Sequence, residues 1–341
     1  MARLSIIIKT FNEEKNVRRA IESSIAATEP YAGEIIIADS ASSDRTVEIA
    51  KQYPVIIVEL KNPGERRCGV GPELGYPHSQ GEYVYILDGD MELKAPFLQR
   101  AIGILDADTS VAGVGGYIHE MRVDNLELQG RVKRIKRPRS NETEEVLCLN
   151  GGGLYRRSAI EDVGYISDRN LHAFEEYDLG ARLRTKGWRL VLLADRAVDH
   201  YSYPMGSWPL LWYRTRTGRF LSPGELLRAA VDAHYVYNAV REIRILQLII
   251  GVWLYWGFAL LALNWVRSDW MVMFFFSALG IPMIGMAIRQ KSSMLAVYSI
   301  VTWHFYAIAF IIGFFSRRRS PSELIDSTAI TPAPSAVAFP E

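Results

Sequence analysis

Four short apolar runs rich in β-branched residues constrain this chain more than any other feature: residues 4–8 (LSIII), 34–38 (EIIIA), 55–60 (VIIVEL) and 83–87 (YVYIL), each followed by turn formers. Apolar character without alternation marks strands covered on both faces, as in a parallel sheet between helical layers. A helical stretch from about residue 13 to 27 separates the first two runs. The segment SSDRTVEIAKQY, in which Ser43 or Asp44 can cap a helix, separates the next two. Strand, helix, strand, helix, strand is the order of an open α/β sheet, whose ligands sit beyond the carboxyl ends of its strands. Residues 10–14, 39–44, 61–67 and 88–90 therefore converge on one edge. A second block, residues 146–191, contains NGGGLYRRSAI and a helix from about Phe174 to Lys186, closed by Gly187 as its C′ residue.

The composition is divided. Charged residues make up 23% of the 341, yet between Ile245 and Phe315 they are confined to Arg267, Asp269, Arg289 and Lys291. Three apolar segments fall there, roughly 245–266, 270–288 and 293–315, and about 20 residues at ~1.5 Å each suffice to cross a ~30 Å hydrocarbon layer. Trp253, Trp256, Trp265, Trp270 and Trp303 include several near segment ends, where an interfacial belt belongs. Arg241 and Arg244 before the first segment, and Arg289 and Lys291 in the second loop, put those sides in the cytosol; three spans would leave Arg317 to Arg319 outside. Either one segment is re-entrant or the short tail is tolerated there. GELLRAAVDAHYVYNAVREIR, ahead of the first segment, has the pattern of an amphipathic helix on a membrane surface. The Pro/Ala/Ser-rich end reads as disordered.

A net charge of +1 gives no overall field for nucleic acid. Cys68 and Cys148, far apart, form neither a disulfide framework nor a zinc spacing, which suits a reducing compartment. The start, MARLSIIIKTFNEE, lacks the h-region of a signal peptide, so the N-terminal domain is expected in the cytosol. The basic run Arg131 to Arg139 is a candidate contact for anionic lipid or an acceptor phosphate; pairing with Glu142, Glu144 and Glu145 on a solvated loop is the alternative.

The sharpest chemical feature is YVYILDGDMEL, an apolar strand ending in Asp88-Gly89-Asp90. Two carboxylates one small residue apart suit a hard cation, Mg2+ or Mn2+, bridging a diphosphate that would otherwise be repelled.

In order along the chain, SIIIKTFNEE, IIIADSASSDRT, GEYVYILDGD, GGGLYRRSAIEDVGY and EEYDLGARLRTKGW resemble the motifs of a family 2 glycosyltransferase with the GT-A fold, over about residues 4–190. WYRTRTGRF resembles the stretch after the catalytic domain in exopolysaccharide-type members with C-terminal spans. The resemblance implies that Thr10, Asn12 and Glu13 line a nucleoside pocket, that Asp39 accepts a hydrogen bond from the base, and that Arg67 lies near the nucleotide. It gives Asp88 to metal and diphosphate and Asp90 to metal. His200 is a candidate metal ligand or diphosphate contact, or else a structural histidine. Where the family has Glu-Asp, this chain has Glu175-Glu176; alignment on Asp178, Leu179 and Arg182 gives Glu176 the role of base, with Glu175 as the alternative. Asp178 and Arg182, four apart on one helix, read as a structural ion pair. The absence of QxxRW argues for addition of a single sugar.

The expected fold is thus α/β, a GT-A nucleotide-sugar-binding fold with a Rossmann-like, mostly parallel sheet, followed by C-terminal transmembrane helices. The expected parts are a cytosolic catalytic domain (1–222), an interfacial amphipathic helix (223–244), about three transmembrane helices (245–316) and a disordered tail (317–341). The expected activity is inverting transfer of one sugar from a nucleotide diphosphate, a UDP-sugar, to a lipid-linked glycan at the cytosolic face of the inner (plasma) membrane. A polyprenyl-phosphate acceptor, or a non-catalytic nucleotide-binding subunit of a glycan export assembly, are the alternatives.

Overall fold

The computed structural model describes residues 3–122, 143–201, 205–243, 245–265, 277, 280, 283–289 and 292–330. The chain divides into two compact units, residues 1–204 with 318–341, and residues 205–317. The basic run 131–139 and most of the apolar stretch 270–288 lie outside the described residues.

The first unit is built on one sheet. The four apolar runs form β1 (Leu4–Thr10), β2 (Glu34–Asp39), β3 (Ile56–Leu60) and β4 (Tyr83–Asp88), parallel neighbours in the order β3-β2-β1-β4. Both faces are apolar because both are covered. Ile6, Ile8, Ile35 and Ile37 belong to one core cluster with residues of α1 (Val17–Thr28) and α4 (Ala95–Ala107). Ile7, Ile36 and Ala38 belong to another, with residues of α3 (Val70–Gly75). A short helix, α2 (Thr46–Ala50), follows β2.

Beyond β4 the sheet departs from the mostly parallel expectation. β5 (Met91–Leu93), β6 (Val111–Glu120), β7 (Thr143–Glu145), β8 (Gly153–Arg156) and β9 (Arg189–His200) continue it as β4-β8-β6-β9-β5, with β7 on β9. β8 runs antiparallel to both β4 and β6, β5 and β7 antiparallel to β9, and β6 parallel to β9. The sheet is therefore mixed. A parallel series needs a crossover of a dozen or more residues between neighbours, and β8 instead enters beside β4 from the opposite end. Glycine-rich β6 (VAGVGGYIHE) and charge-bearing β9 lack the uniform aliphatic run that marks the first four strands. α5 (Arg157–Asp162) and α6 (Glu175–Thr185) complete this side.

The tail differs from its expectation as well. Residues 318–330 return to the first unit, where β10 (Ser327–Ile330) pairs antiparallel with β3.

The second unit contains α7 (Ser207–Arg216), α8 (Ser222–Asp232), α9 (Val236–Glu242), α10 (Leu246–Trp265) and α11 (Ser293–Phe315). The expected single amphipathic helix is two, α8 and α9, interrupted where His234 adopts φ 61°. Along α10 and α11, Trp253 meets Phe310 with ring centroids 5.6 Å apart, and the Trp256 Nε1–H donates to His304 Nε2 at 2.8 Å. His304 Nδ1 lies 2.7 Å from the Ile300 carbonyl, so both of its nitrogens are engaged within the helix pair. His304 therefore serves the packing of this helix pair. Among the described residues, α11 alone is by itself long and apolar enough to cross a bilayer; α9 and α10, bent by 80°, qualify together.

Candidate active site

The carboxyl ends of β1 and β2 are joined by side-chain hydrogen bonds. Thr10 Oγ1 donates to Asp39 Oδ1 at 2.9 Å, while Ser42 gives its hydroxyl to the same oxygen at 2.6 Å and its amide to Oδ2 at 2.8 Å. Asp39 is fully buried. Its carboxylate thus braces the 39–42 turn, where Ala41 takes φ 58°. Asn12, at φ 55°, accepts from the Ser43 amide at 2.8 Å, and its own amide donates to Ser42 Oγ at 2.8 Å. The Glu13 amide donates to Thr46 Oγ1 at 2.7 Å, and the Glu14 amide to Asp44 Oδ2 at 3.0 Å. Asp44 Oδ1 also takes the Thr46 amide at the start of α2, which matches its expected helix-end role. Left-handed backbone at non-glycine residues costs about 1–3 kcal/mol and persists where the surroundings enforce it, as at binding sites.

Arginine enters from the β3 side, by the neighbour of the one expected. Arg66 donates to the carbonyls of Ser40 at 2.7 Å and Ala41 at 2.9 Å, and its guanidinium lies 3.7 Å from the centre of the Phe11 ring. Arg67 Nη1 donates to the Glu65 carbonyl at 3.3 Å.

At the Asp88-Gly89-Asp90 turn, the Gly89 amide donates to the Lys9 carbonyl at 2.9 Å. A Cβ at position 89 would lie 3.0 Å from both Thr10 Cγ2 and Glu13 Cγ, so a larger residue would press those side chains aside where the turn meets the β1 loop. The two aspartates engage different partners. Asp88 Oδ1 is 2.7 Å from Lys9 Nζ, which is also 3.5 Å from Glu175 Oε1. Asp90 Oδ2 is 3.1 Å from His200 Nε2, whose Nδ1 is 2.6 Å from Glu120 Oε2. Register explains the second cluster: β9 sets His200 opposite Met91 on β5 and Glu120 on β6. Burial alone would lower the His200 pKa, but Asp90 and Glu120 raise it to about 10, so the ring is an imidazolium at neutral pH.

Asp88, Asp90 and His200 therefore do not gather as one three-ligand metal set, and no group of three or more His, Cys, Asp or Glu fit to hold a metal occurs among the described residues. Asp90 supplies a carboxylate, and His200 becomes a second donor only when its imidazolium gives up a proton. Mg2+-type sites on nucleotides take one or two protein carboxylates and fill the shell with phosphate oxygens and water, so this donor set fits a cation that arrives with a diphosphate.

The acidic pair opens α6. Phe174, at φ 70°, turns the chain into the helix. Glu175 faces Lys9, and Glu176 Oε1 accepts the Gly152 amide at 2.8 Å. Gly152 has φ 90°, and a Cβ there would fall 2.0 Å from the Ile86 carbonyl oxygen. Burial, then repulsion from Glu175, raises the Glu176 pKa to about 7 against the opposing pull of Lys9. Glu175, Glu176, Lys9, Gly152, Tyr155 and Ser167 line a small recess. Lys9 is itself held as an ammonium: burial lowers its pKa, but Asp88, Glu175 and Glu176 raise it well above the usual value. Farther along α6, Arg182 Nε donates to Asp178 Oδ2 at 2.8 Å, both side chains being buried, as expected of a structural pair.

Residues 5–164 match the family model described as glycosyl transferase family 2. Over that stretch the chain is a member of this family. The family 2 chain is similar to glycosyltransferase AglE of Haloferax volcanii, 28% identical over 225 residues, 63% of this chain and 72% of that protein. A second relative is the dolichyl N-acetyl-alpha-D-glucosaminyl phosphate 3-beta-D-2,3-diacetamido-2,3-dideoxy-beta-D-glucuronosyltransferase of Methanococcus voltae. It is 20% identical over 330 residues, 92% of this chain and 96% of that protein. Among solved structures, the mannosyltransferase PcManGT of Pyrobaculum calidifontis, in complex with GDP-Man and Mn2+, superposes with a TM-score of 0.55 at 17% identity, covering 92% of this chain and 87% of that one. That likeness establishes the GT-A fold. The activity of the family 2 chain is glycosyl transfer from a nucleotide sugar. Glu175, Glu176 and His200 lie beyond the matched residues, so their part in it rests on geometry.

Lys9, Arg66 and Glu120 were missed in the sequence. For Lys9 a signal existed: a lone charge at the end of an aliphatic run, one residue before the loop. Glu120 carries none, because it reaches His200 through strand register.

Proposed function

We propose that the chain is an inverting glycosyltransferase that moves one sugar from a nucleoside diphosphate donor, a UDP-sugar, to a lipid-linked glycan at the cytosolic face of the membrane. The observation that carries this is Glu176: a part-buried carboxylate whose pKa desolvation and Glu175 raise to about 7, in a recess shared with the ammonium that holds Asp88.

In this reading Thr10, Asn12, Glu13, Asp39 and Arg66 shape the nucleoside pocket, with Asp39 acting through Ser42 and Thr10 rather than from an open face. The acceptor hydroxyl enters the recess, and Glu176 removes its proton as the acceptor oxygen bonds to the anomeric carbon. The bond from that carbon to the diphosphate oxygen breaks on the opposite side, which inverts the centre. Lys9 holds Asp88 and Glu175 in place through its ion pairs. Mg2+ or Mn2+, held by Asp90 and by His200 once its ring has lost a proton, would supply positive charge to the departing diphosphate. Bound GDP-Man and Mn2+ in PcManGT support the donor class and the cation.

The lipid-linked acceptor is supported by the name of the Methanococcus voltae relative, which acts on a dolichyl-linked sugar phosphate and matches this chain nearly end to end. Membrane attachment is supported by α11, whose side chains Met294, Ile308, Ile312 and Phe315 are exposed. A core helix would bury them.

The test is nucleoside diphosphate release from a panel of nucleotide sugars, on membranes carrying the chain and polyprenyl-linked acceptors. Acceptor-dependent release that vanishes in Glu176→Gln and Asp90→Asn is expected. Full turnover in Glu176→Gln would remove the proposed base.

A further inference from the structure

We propose that residues 205–317 cross the bilayer twice, through α10 and α11 as an antiparallel pair, and that residues 318–330 form a strap fixing both ends of this excursion on one side. The inference rests on the membrane reading above and goes beyond it by assigning the number of crossings and the side of the strap.

The chain leaves the first unit after residue 204 and re-enters it at Arg318. The re-entry is firmly built. Arg318 pairs with Asp168, which is fully buried. The Arg319 amide donates to Asn170 Oδ1, and the Arg319 carbonyl accepts from Asn170 Nδ2, both at 2.9 Å. Arg169, 3% exposed, donates to the Glu323 carbonyl at 2.9 Å. Ile325 packs in the core cluster that holds Val58 and Leu60, and β10 then adds to the sheet from Ser327 opposite Leu60 to Ile330 opposite Ile57. Stripping the strap away would take Arg318 from buried Asp168 and the Glu323 carbonyl from Arg169, which keeps its pair with Glu65, so it is part of the folded unit.

Strands β1 to β4 and β10 share one sheet, and an open sheet cannot straddle hydrocarbon. Both ends of the excursion therefore lie on one side of the membrane, and the number of complete crossings is even. Three is excluded. Two follows from the helices: α11 has 23 residues, about 34 Å of helix, and is mostly unburied. α10 runs against it, since Trp253 meets Phe310 while Trp256 meets His304. The polar ring of His304 is satisfied by Trp256 and Ile300, which makes it tolerable at membrane depth. Arg241 before α10 and Arg317 to Arg319 after α11 then fall on the same side, in keeping with the positive-inside preference, while Arg289 and Lys291 fall on the other, against it.

The experiment uses sealed vesicles of both orientations and a membrane-impermeant maleimide, in a Cys68→Ser, Cys148→Ser background. Glu48→Cys, Ser322→Cys and Arg289→Cys, all at exposed positions, report the first unit, the strap and the approach to α11. Glu48→Cys and Ser322→Cys should label together from one side and Arg289→Cys from the other. Labelling of Ser322→Cys from the side opposite Glu48→Cys would overturn the strap while leaving membrane attachment intact. Labelling of all three from one side would overturn the crossing pair. Release of the chain by alkaline carbonate would overturn the membrane reading and this inference with it. Protease protection of N-terminal and C-terminal epitope tags on the otherwise unaltered chain gives a second measurement, in which both tags should be cleaved from the same side.

Discussion

The two sides of the Asp88-Gly89-Asp90 turn are held by different kinds of interaction. On the β1–β2 side, hydroxyls, amides and one sealed carboxylate lace the loops: Thr10 and Ser42 on Asp39, Ser43 on Asn12, Thr46 under Glu13. Toward α6 and β9, charges stand against charges with little solvent: Lys9 between Asp88 and Glu175, His200 between Asp90 and Glu120. A neutral hydrogen bond contributes about 1 kcal/mol net, and a lost one is often replaced by water. A buried charge deprived of its partner costs about 3–5 kcal/mol. The laced side should therefore degrade gradually under substitution, and the charged side abruptly.

The largest effect is expected at Glu176. Its replacement by Gln keeps an acceptor for the Gly152 amide and removes the base, so kcat should fall by about 10²–10⁴ with donor binding retained. Steady-state rates beside equilibrium nucleotide binding check this. A drop in binding as large as the drop in kcat would mean that the charged side also holds the donor, and the contrast would fail.

Lys9→Met comes next. It preserves the stem and leaves Asp88, Glu175 and Glu176 without their cation. Because Asp88 is about one-third exposed, the loss should sit at the lower end, about 3 kcal/mol, read as a lowered thermal midpoint. Lys9→Arg should recover most of it.

A pH profile sharpens the comparison further. With the Glu176 pKa near 7, kcat/KM should rise about tenfold per unit below pH 7 and level off above it. Stability should run the other way. The folded pKa exceeds the unfolded value, so the folded state binds the extra proton, and this contribution is complete below about pH 4.5 and lost as pH rises through 7. A profile flat from pH 5 to 8 would remove Glu176 from the proton transfer.

What the sequence disclosed follows the same division. The β1–β4 side was readable because parallel strands need continuous aliphatic runs and their loops must fall at one edge, so Thr10, Asn12, Asp39 and Asp88 could be placed together before any coordinates. The charged side was not, because its contacts cross the sheet: Glu120 meets His200 across 80 residues, and Lys9 meets Glu175 across 166. No periodicity encodes such pairs. That Asp88 lies against Lys9 while Asp90 lies against His200 was hidden for the same reason, since the ammonium beside Asp88 belongs to another strand. The strap escaped because its low-complexity composition conceals a four-residue strand that forms only on the β3 edge.

The smallest effect tests the laced side. Ser42→Ala deletes one hydroxyl that bridges Asp39 Oδ1 and the Asn12 amide, while Thr10 and the residue-42 amide still hold Asp39. Loss of about 1 kcal/mol of loop ordering should raise the donor KM roughly fivefold and leave kcat and the pH profile unchanged. An arrangement in which Asp39 tolerates that loss is one where several weak donors share a single carboxylate. Should Ser42→Ala instead abolish turnover, Asp39 would behave like the buried ion pairs, and both sides of the turn would answer to one rule.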